Sequence, residues 1–214
     1  MTASADNVVD NPFFARLWTV MSSREPEAVT RLRRENLAGL TGRVLEVGAG
    51  TGTNFAFYPD SVEQVVAIEP EARLAAVARE AAVTALVPVE VTGETAEGMA
   101  DSTPFDAVVC SLVLCSVGDP EDVLRQLYLR LRPGGELRYL EHIASPGARG
   151  SLQRVADATV WPRLLGNCHT HRDTEQSIRS AGFEISAARR EWTMPAWVPL
   201  PVSEFALGRA IRPS

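Results

Sequence analysis

Val44-Leu45-Glu46-Val47-Gly48-Ala49-Gly50-Thr51-Gly52-Thr53-Asn54 is the stretch on which the fold turns. A short apolar run passes directly into three glycines at alternate positions. The run reads as a buried strand, and glycines, lacking Cβ, allow a tight turn in which peptide N–H groups can meet a ligand at the carboxyl end of a sheet. Glu69 closes the next apolar run, Val65-Val66-Ala67-Ile68, 19 residues after Gly50. That is close to the spacing at which an acid accepts from ribose hydroxyls, so an adenosine-containing cofactor is implied.

The spacing narrows the cofactor. A dinucleotide fingerprint reads G-x-G-x-x-G, whereas Gly48, Gly50 and Gly52 read G-x-G-x-G, and Glu46 stands two residues before the first glycine. A carboxylate there repels a pyrophosphate but attracts, directly or through water, the α-ammonium end of S-adenosylmethionine. As a buried strand-end acid, Glu46 has a second reading, in which it bonds only the loop's own amides.

Outward from the loop, apolar runs alternate with helical patterns. Strands are expected at Val44–Val47, Val65–Ile68, Leu86–Val91, Ala107–Leu114 and Leu137–Ile143. Helices are expected over Glu71–Ala82 and Glu121–Leu131, the latter stopped by Arg132-Pro133-Gly134-Gly135. Alternation of this kind predicts a doubly wound α/β fold with a mostly parallel sheet covered on both faces. Residues Asn11–Leu40 read as two helices broken at Pro26. In the last third, a helix is expected across Asp173–Ala181 with Asp173 and Gln176 at capping-box spacing, then a strand over Phe183–Arg190. Trp192–Pro201 reads as a loop or lid, and a final strand is expected at Phe205–Ile211.

At 214 residues, with 45% hydrophobic and 22% charged side chains, one large soluble domain is expected. Its divisions are a helical cap over 1–41, a cofactor-binding core over 42–143 and an acceptor-side segment over 144–214. The net charge of −6 offers no basic field for nucleic acid. All 21 basic residues are arginine, which removes a Schiff-base lysine and a P-loop lysine, and with them pyridoxal phosphate enzymes and P-loop NTPases. Three cysteines, Cys110, Cys115 and Cys168, make no secreted disulfide framework. Met1–Asp10 does not read as a signal peptide and no run is long enough to span a membrane, so a cytoplasmic protein is expected.

The glycine loop and Val65–Pro70 resemble the first motifs of class I S-adenosylmethionine-dependent methyltransferases. Gly93-Glu94-Thr95-Ala96-Glu97, Phe105–Cys110 and Leu129–Gly135 resemble that family's adenine loop, fourth strand, and helix and turn before the fifth. The resemblance implies a Rossmann-like seven-stranded sheet and the cofactor S-adenosylmethionine, released as S-adenosylhomocysteine. A narrower resemblance, carried by Asn54–Pro59, Leu112–Val117, Glu141-His142 and Gly166-Asn167-Cys168 with Arg172, is to methyltransferase-like proteins that include animal thiol S-methyltransferases and bacterial relatives. No stretch here reads as the amino-terminal anchor of the animal members.

By that resemblance Gly48, Ala49, Gly50, Gly52 and Asn54 would line the methionine and ribose portions, with Glu46 toward the ammonium. Glu69 would bind the ribose hydroxyls, Pro70 would pack on adenine with Thr95 and Ala96 at its edge, and Ser111 and Leu112 would lie beneath the sulfonium. The acceptor expected is a small, rather apolar molecule, thiol sulfur favoured, with oxygen or nitrogen on a phenol, quinone precursor or lipid amine as the alternative. His142, at the carboxyl end of a strand, is the candidate base, with a structural strand-end histidine as the alternative. Phe13, Phe14, Trp18, Cys115, Trp161, Cys168 and His169 are candidates for the acceptor wall; core packing is the alternative for the aromatics, Trp192 and Trp197 included. Cys168-His169-Thr170-His171 reads as no metal site, for want of a second ligand group. Arg33-Arg34 and Arg189-Arg190 read as solvated faces. From other classes, an NAD(P)-dependent oxidoreductase shares the sheet and ribose acid but not the glycine spacing, and a non-catalytic cofactor-binding module remains.

Overall fold

A computed structural model describes residues 10–214 apart from 102, 196, 197 and 199. Trp197 and the stretch before Asp10 therefore lie outside the described residues. Two amino-terminal helices, α1 (Pro12–Ser22) and α2 (Glu27–Leu37), precede β1 (Gly42–Val47), β2 (Val62–Ile68), α3 (Ala72–Ala82), β3 (Val89–Thr92), β4 (Phe105–Ser111), α4 (Pro120–Arg130) and β5 (Leu131–His142). There follow α5 (Gly147–Asp157), the single turn α6 (Trp161–Leu164), α7 (Thr174–Ser180), β6 (Glu184–Trp192) and β7 (Glu204–Ile211). The seven strands form one sheet in the order β3-β2-β1-β4-β5-β7-β6. β1 to β5 run parallel, and β7 lies antiparallel between β5 and β6.

Strand periodicity sorts the side chains onto two faces. Leu45, Val47, Val108, Cys110, Leu137 and Tyr139 pack with Val123, Leu124 and Leu127 of α4 and Ile178 of α7. Val44, Ala107 and Val109 face the other way, against Leu37, Leu40, Phe55 and Tyr58. Glu46 and Ser111 fall in phase with this second set, as does His142 with Leu140, which packs on Val29 and Leu32 of α2. The chain order reverses between β1 and β4, and a ligand is expected at the carboxyl ends of the strands there.

Several expected boundaries move. Leu86 is 81% exposed and β3 begins only at Val89, after Pro88, which accepts from Val65 N–H at 2.9 Å but has no N–H to donate. β4 ends at Ser111 rather than Leu114, because Leu112 takes φ +62° and turns the chain out of the sheet. β5 begins at Leu131, running through Pro133-Gly134-Gly135 instead of after it. The helix α5 was not expected; its sequence, with two glycines and no side-chain cap, carries little helical signal. Gly150 explains part of it, since a Cβ there would stand 2.1 Å from the Ser145 carbonyl oxygen. Asp173 caps α7 by accepting from Gln176 N–H at 3.0 Å, but the Gln176 side chain turns to Ser180, so the box is half formed.

Arg33 is not on a solvated face. It is 3% exposed, ion-paired with Glu25, and donates to Asn54 Oδ1 at 3.1 Å. Arg189 and Arg190 do lie toward solvent on the edge strand β6, paired with Glu35 and Glu204; charges along an edge discourage pairing with another chain.

Candidate active site

The glycine loop turns through three left-handed residues, Gly48 (φ +63°), Gly50 (φ +58°) and Gly52 (φ +77°). At Gly48 a Cβ would stand 2.4 Å from Val113, and at Gly50 2.8 Å from Trp18 Nε1, so only bare backbone fits between neighbours on either side. Gly50 N–H donates to Glu69 Oε2 at 2.8 Å, and Glu71 N–H donates to Glu69 Oε1 at 3.0 Å. These bonds aim the Glu69 carboxylate from the end of β2 across to the loop. Burial pushes its pKa up to about 7, outweighing the two N–H donors that lower it.

Glu46, buried at the end of β1, meets side chains rather than loop amides. It accepts from Asn54 Nδ2 at 2.9 Å and from the Tyr58 hydroxyl at 2.7 Å. Asn54 Nδ2 also reaches Ser111 Oγ at 3.2 Å, linking β1, the loop and the end of β4. Desolvation again dominates and raises Glu46 to about 7.

Beyond Ser111, Leu112 holds its positive φ because its N–H donates to the Leu140 carbonyl at 2.8 Å and the turn behind it is pinned by an acid. Glu141, fully buried in β5, accepts from the N–H groups of Val113 (3.0 Å), Leu114 (3.0 Å) and Cys115 (3.4 Å). That turn delivers Cys115 to His142 and Cys168. Cys168 Sγ lies 3.7 Å from Cys115 Sγ and 3.6 Å from His142 Nδ1, and the His142 ring meets Phe205 edge-on at 4.9 Å. His169 contributes its backbone N–H, which donates to the Cys115 carbonyl at 2.8 Å.

The helix α1 lies over the loop. Phe14 and Trp18 stack at 5.8 Å; Trp18 covers Gly50, and Phe14 covers Gly166, where a Cβ would stand 2.7 Å from its ring. Thr51 Oγ1 bonds Ser22 Oγ at 3.0 Å. One helix thus bridges the glycine loop and the turn that carries Cys168.

Residues 45–139 match the family described as a methyltransferase domain. Mouse thiol S-methyltransferase TMT1B is 37% identical over 206 residues, 92% of this chain and 82% of that protein. The human TMT1B is 32% identical over 94% of this chain and 85% of its own length. The chain belongs to the thiol S-methyltransferase family. Among solved structures, the N-methyltransferase NodS of Bradyrhizobium japonicum, in complex with S-adenosyl-L-homocysteine, superposes with a TM-score of 0.65 at 16% identity, covering 99% of this chain and 94% of that one. Such a likeness shows the shared Rossmann-like fold. The family makes the chain an S-adenosylmethionine-dependent methyltransferase.

In this thiol S-methyltransferase family member, the carboxyl rim brings Glu46, Gly48, Gly50, Asn54, Glu69, Ser111 and Leu112 to the strand-order reversal, with His142 at the end of β5, Cys115 in the turn after β4 and Cys168 in the turn after α6. Pro70 directly follows Glu69, and Ala96 is buried in the core beside the rim, next to half-buried Thr95. Ala49 is buried with the second core, and Gly52 closes the loop against Phe55 and Ala81. Two aromatic candidates sit elsewhere. Phe13 is 59% exposed, one residue off the Phe14–Trp18 stripe, and Trp161 lines an apolar groove with Val155, Leu164 and Pro201.

Sequence reasoning passed over Glu141, Tyr58, Arg33 and Asp157 as site-building residues. An acid inside the apolar run Leu137–Ile143 was the available signal for Glu141. Asp157 gave none, because its role, accepting from the N–H groups of Thr170 (2.6 Å) and His171 (2.9 Å), depends on an unexpected helix.

Proposed function

We propose that the chain transfers the methyl group of S-adenosylmethionine to the sulfur of a small, rather apolar thiol. The observation that carries this reading is the meeting of the Gly50 N–H and the buried Glu69 carboxylate on the β1–β2 side of the strand-order reversal, with the Cys115–His142–Cys168 corner on its β4–β5 side. The thiol acceptor is supported by the thiol S-methyltransferases that match most of the chain.

The donor set fits an adenosyl group. Glu69 has lone pairs for two ribose hydroxyls, and Leu112 and Pro70 offer apolar surface. When bound, S-adenosylmethionine supplies an electrophilic methyl on a sulfonium and leaves as S-adenosylhomocysteine. The chain's own tasks are alignment and exclusion of water, because an in-line displacement needs little covalent help. Glu46, held by Asn54 and Tyr58, acts on the methionine ammonium by its charge, through Asn54 or water. His142, whose Nδ1 faces Cys168, takes the acceptor's proton at Nε2. The helix α1 serves as the cap over the loop, with Phe14 and Trp18 as acceptor-side wall. A cytoplasmic location agrees with three free, buried cysteines; no helix among the described residues is long and apolar enough to cross a membrane.

The test is a panel of alkyl and aryl thiols, phenols and amines assayed for S-adenosylhomocysteine release. Thiols are expected to turn over and phenols and amines not; turnover confined to phenols or amines would move the acceptor atom to oxygen or nitrogen. Tight S-adenosylmethionine binding with silence across the panel would favour the non-catalytic module. His142→Ala should slow thiols of high pKa more than thiols already ionised at the assay pH. Equal slowing would reduce His142 to a structural strand end.

A further inference from the structure

Cys115, His142 and Cys168 come from three separate segments, yet their Sγ, Nδ1 and Sγ atoms all lie within 4.8 Å of one another. The edges are 3.7 Å between the sulfurs and 3.6 Å between Cys168 Sγ and His142 Nδ1. A tetrahedral zinc ion with Zn–S of about 2.3 Å and Zn–N of about 2.0 to 2.1 Å demands S···S of about 3.8 Å and S···N of about 3.6 Å. The two edges match those of a zinc coordination shell. We propose that Cys115, His142 and Cys168 bind one zinc ion and leave its fourth position for a thiolate from outside the chain.

The corner is braced in the way a preorganised metal site requires. On the Cys115 side, the Glu141 carboxylate fixes the backbone through the N–H groups of residues 113, 114 and 115. On the Cys168 side, Asp157 holds Thr170 and His171, while Asn167 Nδ2 donates to the Ser116 carbonyl at 2.8 Å. Arg172 then ties the two together, donating to the carbonyls of Leu114 and Val117 at 2.7 Å each. Packing alone would not call for two thiols and an imidazole nitrogen with all three donor atoms within 4.8 Å of one another. Thiolate and imidazole are soft and borderline donors, which select zinc over magnesium or calcium. Two thiolates and one Zn²⁺ sum to zero charge, and the −1 that an acceptor thiolate adds faces the Arg172 guanidinium held at the same corner.

Among the described residues no fourth histidine, cysteine, aspartate or glutamate joins the cluster. Three protein ligands with an open position is the arrangement of zinc sites that act on a bound molecule rather than merely brace a fold. The use of that position rests on the thiol reading above. On coordination the acceptor's S–H bond breaks, an S–Zn bond forms and the proton goes to solvent. Methyl transfer then forms the S–CH₃ bond as the sulfonium C–S bond breaks, its electron pair staying on the departing sulfur. Zinc at Nδ1 would replace the proton-accepting role given to His142 above, so the two are alternatives: thiol methylation that proceeds unchanged in the metal-stripped chain keeps His142 as the base and overturns the metal's part in activation.

The experiment needs neither methyl donor nor acceptor. The purified chain is stripped of metal, titrated with Zn²⁺ alone or Co²⁺ alone, and examined by X-ray absorption. One equivalent of zinc with two sulfur neighbours at about 2.3 Å, and a thiolate-to-cobalt charge-transfer band with Co²⁺, are expected. Cys115→Ser and Cys168→Ser should each weaken zinc binding at least a hundredfold while circular dichroism confirms the fold. No stoichiometric zinc on the folded wild-type chain, or a sulfur count other than two, overturns the site without any variant; unchanged affinity in both serine variants does the same. Adding ethanethiol to the zinc-loaded chain should raise the sulfur count to three. A count that stays at two while thiols are still methylated overturns the metal's part in activation and leaves the thiol reading standing.

Discussion

Glu69 is the residue on which cofactor affinity should turn with pH. Ribose hydroxyls donate, so they select the ionised carboxylate, whereas burial holds the free group near pKa 7. Lowering the pH from 8 to 6 takes such a group from about 90% to about 10% ionised, and S-adenosylhomocysteine binding measured by calorimetry should weaken about ninefold. Glu46 titrates in the same range. The single variants Glu46→Gln and Glu69→Gln therefore apportion the slope, and Glu69→Gln should also cost about 1 to 3 kcal/mol of binding at pH 8. A dissociation constant that does not move with pH in the wild-type chain would take Glu69 out of the ribose site. The sequence placed this acid correctly at the end of the second strand, because strand-end position and spacing are local properties. It could not show that the acid's own loop would supply a donor, since the Gly50 bond exists only once β1 and β2 lie side by side.

At the scale of elements, the arrangement to test is α1 lying on the glycine loop. Gly50→Ala incurs two separate costs, a left-handed φ of +58° and a Cβ 2.8 Å from Trp18 Nε1. Strain of the first kind is about 1 to 2 kcal/mol and stays whatever the neighbour; the second vanishes if Trp18 is removed. In urea unfolding, Gly50→Ala/Trp18→Ala should be less damaged than the two singles added together, with a coupling of about 1 kcal/mol. Strict additivity would mean that α1 does not sit on the loop in solution. The core strands and the helices α3 and α4 were legible because their periodicity is strong and their caps local. The rim was only partly so: nothing in the spelling of Leu112-Val113-Leu114 announces a left-handed residue, and the turn is imposed by Glu141 from the adjacent strand. Likewise α5 is written in glycine and arginine, and its placement comes from fully buried Gln153, which donates to the Ile143 and Pro201 carbonyls at 3.0 Å each and accepts from Ser145 N–H at 2.7 Å.

For the whole molecule, three buried acids at the strand ends should shape stability against pH. Burial raises Glu46 and Glu69 to about 7 and raises Glu141 as well. A carboxyl whose folded pKa lies above its unfolded value binds more protons in the folded state between the two values. Its contribution is therefore fully present below about pH 4.5 and is lost as pH rises toward 7, on the order of 3 kcal/mol at most for Glu46 or Glu69. Glu35 and Asp101 act oppositely. Their arginine and backbone partners hold them below their ordinary values of 4.5 and 3.8, so what they contribute is lost only in stronger acid. The two trends together put the maximum of these contributions at about pH 4 to 4.5, below the neutral range in which the ribose carboxylate ionises. Urea midpoints of the ligand-free chain should accordingly fall from pH 5 to pH 8. Glu46→Gln, uncharged throughout, should flatten part of that decline even if it lowers the midpoint at pH 5 through a weakened bond to Tyr58. Saturating S-adenosylhomocysteine should flatten the slope above pH 6, because the gain in binding of about ninefold from pH 6 to pH 8 offsets the part of the decline that Glu69 causes. A midpoint that stays level from pH 5 to pH 8 without ligand would mean that these strand-end acids ionise in the folded chain as readily as in the unfolded one. The rim would then be wet, and the water exclusion that methyl transfer needs would have to come from bound ligand.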